Sequence, residues 1–91
     1  MSRSIWKYTL PPGISDLQLP AGAKILCVQS QNEHLQLWAM VDPNEKQEGA
    51  IHRIGVFGTG HDASAAEGGE YLGTVQMYGG SLVWHVFTLA L

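Results

Sequence analysis

Short runs of alternating apolar and polar residues fill most of the chain, and turn-forming residues interrupt them at close intervals. Gly, Pro, Asn and Asp separate the runs, and no window of about eleven residues carries an uninterrupted helical stripe. Alternation places successive side chains on opposite faces of a strand, whereas a helix needs a repeat of about 3.6 residues. The pattern therefore predicts an all-β fold.

Seven strands are predicted from these runs. They cover residues 5–10, 15–19, 24–31, 34–41, 51–57, 71–78 and 82–89. The strand at 24–31 is apolar on both faces and is expected to be central in its sheet. Seven short strands joined by turns are typical of a single small antiparallel sandwich or a partly open barrel.

Two connections between strands predict hairpins. Asn32-Glu33 gives a tight connection, and Gly79-Gly80 gives a two-residue turn because glycine tolerates positive φ at both positions. The small residues at 63–69 are expected to hold at most one helical turn.

Length and composition restrict the class of protein. The 91 residues predict a single β domain over 1–91, because so short a chain has little apolar surface to bury in a second core. The hydrophobic share of 45% excludes a disordered chain, and the net charge of −3 argues against binding to duplex nucleic acid. No run approaches the ~18 apolar residues of a membrane-spanning helix, and no secretion signal is visible. We therefore expect a cytoplasmic protein that does not contact a membrane.

Catalytic and metal-binding groups are not indicated. Cys27 is the only cysteine and lies in an apolar run, so it is expected to be buried and inert. The four histidines lack the spacing of a metal site, and neither a metal nor a cofactor is predicted. Thr59 and His61 lack the oriented third group of a catalytic triad. A binding protein is favoured over an enzyme.

A glycine-rich loop and the aromatic residues supply the candidate binding site. Two glycines around a threonine can present backbone N–H groups to an anion, and a following histidine adds positive charge as the pH falls through about 6.5. The alternative is an ordinary glycine-rich exit from a strand. An aromatic ring would supply a stacking surface, unless the aromatic residues only fill the core. The candidate ligand-binding residues are Gly58, Thr59, Gly60, His61, Trp38 and Tyr71.

The last strand predicts self-association. Residues 86–91 carry no charged side chain. Natural edge strands usually carry one, because a charge discourages pairing with another chain. We therefore expect a homodimer or a higher homo-oligomer formed through this strand.

Several motifs follow one another along nearly the whole chain. They are Ile5-Trp6-Lys7-Tyr8, the Pro-x-Gly-Ala-Lys-Ile-Leu-x-Val-Gln stretch ending at Gln29, Leu37-Trp38-Ala39 with Val41-Asp42-Pro43, Phe57-Gly58-Thr59-Gly60-His61, Tyr71-Leu72-Gly73-Thr74 and Val83-Trp84-His85-Val86-Phe87. Together they resemble a family of small uncharacterised proteins encoded by bacteriophages and prophages. The resemblance implies an accessory phage protein that manipulates or blocks host processes, antiviral defence included. It transfers no catalytic or ligand-binding residue.

The combined expectation is a non-enzymatic phage accessory protein that acts by binding. It would inhibit a host protein of antiviral defence or sequester a small anionic signalling ligand such as a nucleotide. Two alternatives stay open, a small nucleotide-degrading enzyme and a structural component of the virion.

Overall fold

The computed structural model describes residues 2–91 and confirms the all-β prediction. The strands are β1 Ser4–Thr9, β2 Gly13–Leu19, β3 Lys24–Gln31, β4 His34–Val41, β5 Ala50–Gly58, β6 Glu70–Met77 and β7 Leu82–Leu89. Short 3-10 turns lie at Ser64–Ala66 and Tyr78–Gly80. Every predicted strand is present, with small shifts at its ends.

The strands form two antiparallel sheets. One has three strands in the order β1-β4-β3, and the other has four in the order β2-β5-β7-β6. Each sheet keeps two edge strands, so the fold is a small sandwich and not a closed barrel.

The core lies between the inner faces of the two sheets. Leu37, Ile54 and Val86 are fully buried there, and each such side chain contributes about 1.5–3 kcal/mol through apolar burial. Alternation then places their chain neighbours on the outer faces. Trp38 and His85 are two of these outward-facing residues.

The order of the strands corrects two expectations. β3 is an edge strand and not a central one, and Cys27 is half-buried beside Trp38 on the outer face, not buried in the core. A register shift between Ile25 and Cys27 interrupts the pairing of β3 with β4. The inner face of β3 is covered instead by β6 of the other sheet, where a Cβ on Gly73 would stand 2.8 Å from Val28 Cγ2. The apolar run at 24–31 therefore reflects contact between the sheets.

β7 also corrects an expectation, because it pairs with β5 on one side and β6 on the other. The C-terminal strand is therefore not an exposed edge, and it cannot provide the edge contact on which the oligomer prediction was based. The edges of the sandwich are β1, β2, β3 and β6.

The hairpin connections are of two kinds. Asn32 and Glu33 have φ of 52° and 60° and form the predicted tight connection. The second turn is longer than predicted, because Met77 pairs with Leu82 and leaves four residues, 78–81, in the loop. Tyr78 there has a φ of 52°, a value that bulky residues rarely adopt.

The connection from β5 to β6 has to cross β7, because β5 and β6 are both antiparallel to the strand between them. Residues 59–69 make this crossover, and their 3-10 turn at Ser64–Ala66 contacts β7. Ala66 is 8% exposed. Residues 63–69 thus hold one short 3-10 turn, within the limit of one helical turn expected from sequence.

Candidate functional site

Four polar side chains form one hydrogen-bonded line on the outer face of the four-stranded sheet. Thr59 Oγ1 lies 2.6 Å from His85 Nε2, and Thr74 Oγ1 lies 3.0 Å from His85 Nδ1. The Tyr71 hydroxyl lies 2.6 Å from Thr74 Oγ1. We call these four residues the His85 line.

Strand register brings the His85 line together. Val86 points into the core, so His85 points outward, and it stands opposite Thr74 of β6. Residues 71 and 74 of an uninterrupted strand would face opposite sides of the sheet. A register shift between Tyr71 and Gly73 puts both on the outer face.

Each ring nitrogen of His85 has a threonine hydroxyl as its hydrogen-bond partner. In a neutral imidazole one nitrogen donates and the other accepts, so one threonine donates a hydrogen bond to the ring while the other accepts one. Hydroxyls can reverse these roles by rotation, and a protonated ring would donate to both. No carboxylate hydrogen-bonds to the line within residues 2–91. The line can therefore exchange donors and acceptors with a polar ligand.

Aromatic rings lie beside the His85 line. Phe87 packs against Phe57 with ring centroids 6.3 Å apart and against Tyr71 at 5.4 Å. A glycine makes room for this packing, because a Cβ on Gly55 would stand 2.6 Å from Phe57 Cε2. The Tyr71 ring is 58% exposed, which leaves a surface on which a flat group can stack.

The glycine-rich loop begins where β5 ends. The Thr59 N–H donates to Val83 O at 3.3 Å and the His61 N–H donates to Gly58 O at 3.0 Å. Gly60 has a φ of +85°, and its N–H has no acceptor among the described residues. The loop therefore offers one free backbone donor, next to the exposed His61.

The ring of His61 is seated on the backbone of β5. A Cβ on Gly58 would stand 2.7 Å from His61 Nδ1, so the glycine is what allows this approach. The next residue, Asp62, accepts hydrogen bonds from the Ser64 hydroxyl at 2.6 Å and the Ser64 N–H at 2.9 Å. These bonds lower the pKa of the Asp62 carboxyl below its ordinary value.

The motif set has a counterpart among protein families. Residues 1–90 match the family described as Domain of unknown function (DUF7352). The chain belongs to this family. No curated protein and no solved structure matches it.

In this member of the family, most of the candidate ligand-binding residues lie close together, and one of them lies elsewhere. Thr59 and Tyr71 are linked through His85, and the loop at 58–61 continues from Thr59. Trp38 lies on the outer face of the other sheet, paired with Lys7 and Cys27. It therefore cannot stack a ligand held at the loop.

Sequence reasoning did not find two members of the line, His85 and Thr74. Alternation does predict that His85 faces away from Trp84, and it points to a hydrogen-bonded strand histidine. Its partners are Thr59, directly after β5, and Thr74 in β6, which are 26 and 11 residues away along the chain. No local pattern identifies them.

Clusters of metal-ligating side chains and long apolar helices are both absent from residues 2–91. In the described part of the chain, no three His, Cys, Asp or Glu side chains lie close enough together to hold a metal ion. Over the same residues, no helix is long and apolar enough to span a membrane.

Proposed function

We propose that this protein is a bacteriophage accessory protein that binds and sequesters a small anionic, nucleotide-like ligand in the cytosol of the host. The observation that carries the proposal is the His85 line, which connects an exposed aromatic ring at Tyr71 to the free donor at Gly60. The phage origin rests on the motif resemblance described above.

The dimensions of the site suit a nucleotide. The line runs from β6 across β7 to Thr59 at the end of β5, which is two interstrand spacings or about 10 Å. Tyr71 would stack the base, and the hydroxyls of Thr74 and Thr59 would bond the sugar. The Gly60 N–H and the His61 ring would meet the phosphate.

The same geometry favours binding over catalysis. A threonine hydroxyl is a weak nucleophile until a histidine base, oriented by a third group, removes its proton. The third group here is the Thr74 hydroxyl, 3.0 Å from His85 Nδ1, and a neutral hydroxyl stabilises an imidazolium less than a carboxylate does. A bound nucleotide is therefore expected to be recovered intact.

The test measures the binding of adenosine monophosphate, adenosine and inorganic phosphate to the whole protein by calorimetry and by NMR. We expect the monophosphate to bind most tightly and to shift the resonances of Gly60 and His85. The His61→Ala variant should lose about tenfold in affinity, the worth of one charge-assisted hydrogen bond. The matched control is His52→Ala, since His52 pairs with Leu17 away from this loop. Equal affinity of His61→Ala and His52→Ala for the monophosphate would refute the site.

A second candidate function, inhibition of a host protein, has its own observation. The three strands of the smaller sheet contain Lys7 and Lys24 but no Asp or Glu, although the whole chain carries a net charge of −3. Trp38 lies half-buried on the same face. A face whose strands carry only positive charge suits an acidic protein surface.

This candidate predicts a complex that depends on charge at the smaller sheet. Replacing both Lys7 and Lys24 with Glu should abolish co-purification with a host protein, and His61→Ala should leave it intact. The opposite result would assign that complex to the loop.

A homodimer also stays a proposal, with a different contact. β1 is an edge strand, and the inward-facing Trp6 is 40% exposed at the side of the sandwich where β1 and β2 end the sheets. Antiparallel pairing of β1 with a second copy, centred on Trp6, would cover both indoles and keep the two Lys7 side chains apart. Light scattering should then report twice the chain mass of 9.9 kDa, and Trp6→Lys should restore the monomer.

A further inference from the structure

A cavity of about 210 Å³ opens at the end of the sandwich where both hairpin connections lie. Buried side chains from both sheets form its floor, among them Leu10, Leu35, Val56 and Met77. Trp84 provides part of the wall. These floor side chains offer no hydrogen-bond partner of their own, and an apolar cavity of about 150 Å³ is large enough for benzene. The cavity is therefore matched to a single small ring.

The mouth of the cavity is built from strained backbone. Glu33 and Tyr78 line the mouth and have φ of 60° and 52°, a left-handed conformation that non-glycine residues seldom adopt. A hydrogen bond of 2.6 Å from the Tyr78 N–H to Glu33 Oε2 joins the two hairpins. Strained residues that the surroundings hold in place cluster at binding sites.

The polar groups at the mouth accept hydrogen bonds. Glu33 uses Oε2 for the Tyr78 N–H, which leaves Oε1 free to accept. His34 Nδ1 lies 2.9 Å from Asn32 O, and because a carbonyl can only accept, this nitrogen carries a hydrogen. In the neutral ring Nε2 is then an acceptor. Glu33 and His34 therefore favour a ligand that presents a donor, and the negative charge of Glu33 favours a cationic one.

We propose that this cavity is a second binding site, for a small aromatic ring that carries an alkylammonium group. The ring occupies the apolar floor beside Trp84, and the ammonium group donates to Glu33 at the mouth. This ligand is a cation, in contrast to the anion proposed for the His85 line, and neither site depends on the other.

The test measures binding of 2-phenylethylamine to the full chain by amide chemical-shift changes and by the indole N–H resonance of Trp84. A fragment of this size is expected to bind with a dissociation constant of about 1 mM. The anionic analogue 3-phenylpropionate and the ring-free butylamine should each bind at least about tenfold more weakly, since each lacks one of the two features.

The variant Glu33→Gln keeps an acceptor for the Tyr78 N–H but removes the charge. It should lose about tenfold in affinity for 2-phenylethylamine and should bind neutral 3-phenyl-1-propanol unchanged. Glu48→Gln, in the exposed loop at 42–49, is the matched control and should behave like the parent protein.

Two results would overturn the proposal. One is the absence of shifts at Leu35, Met77 and Trp84 with 2-phenylethylamine at about 10 mM, ten times the expected dissociation constant. The other is equal affinity of Glu33→Gln and Glu48→Gln for the amine. If Glu33→Gln fails to fold, the comparison of the amine with 3-phenylpropionate on the parent protein decides the matter, because equal binding contradicts a cation site.

Discussion

Replacing Gly69 with alanine should loosen the crossover at residues 59–69 from the sheet. A Cβ at this position would collide with the backbone carbonyl of Thr88 and stand 3.1 Å from Ala66 O. Thr88 belongs to β7, which is paired on both sides and cannot retreat. The crossover must therefore move away, and Ala66, now 8% exposed, would lose its cover.

Inserting one methyl group into a packed site costs about 1–3 kcal/mol, and we expect about 2 kcal/mol here because the obstacle is backbone. A domain of this size loses about 4–8 °C in Tm for each kcal/mol, so the midpoint should fall by about 8–16 °C. The assay is thermal and urea denaturation, with hydrogen exchange to show that the loss of protection is largest within 59–69. The control is Gly60→Ala, where a Cβ meets nothing within 4 Å and only the φ of +85° resists the change, at about 1 kcal/mol. A midpoint for Gly69→Ala at or above that of Gly60→Ala would refute the steric argument.

Three further results are expected. Leu37→Ala should cost about 2–5 kcal/mol in urea denaturation, because Leu37 is fully buried in the core, and a loss below about 1 kcal/mol would contradict the assigned faces of β4. Cys27 is half-buried beside Trp38, so it should react with a thiol reagent in the folded protein at a measurable rate, and faster in the Trp38→Ala variant. A Cys27 thiol that is labelled only when the protein unfolds would contradict its outward position. The hydrogen bond from Arg53 lowers the pKa of the Asp16 carboxyl below 3.8. The stabilisation from this pair should therefore be present above about pH 4 and be lost as the pH falls through the lowered pKa. An Asp16 carboxyl that titrates by NMR at the same pH in the parent protein and in Arg53→Leu would disprove the pairing.

The candidate site was only partly accessible from sequence. The loop at 58–61 is predicted from its glycines and histidine, and Tyr71 is predicted, like Trp38, only as an aromatic ring on which a ligand could stack. Their connection through His85 depends on which strands are neighbours and on the register shift between Tyr71 and Gly73. Trp38 carries the same aromatic pattern as Tyr71, yet it lies on the opposite sheet.

The sequence by itself determined the all-β class, the positions of the seven strands and the tight turn at Asn32-Glu33. It also determined which residues share a face, for example that Leu37 and Trp38 lie on opposite faces of β4. These properties are local, because the pleat of a strand and the φ angles of a tight turn depend on residues a few positions apart.

Only the tertiary structure decided that β3 is an edge strand, that β7 is an inner strand and that Thr59 meets His85. The apolar side chains in runs such as 24–31 and 86–91 have to be buried. The sequence does not specify whether a neighbouring strand, the opposite sheet or another molecule buries them. Many strand orders bury the same alternating pattern equally well, and the order adopted depends on contacts between residues far apart in the chain. The contact of Val28 with Gly73 across the two sheets is one of these, and it covers a strand that by its sequence belongs in the centre of a sheet.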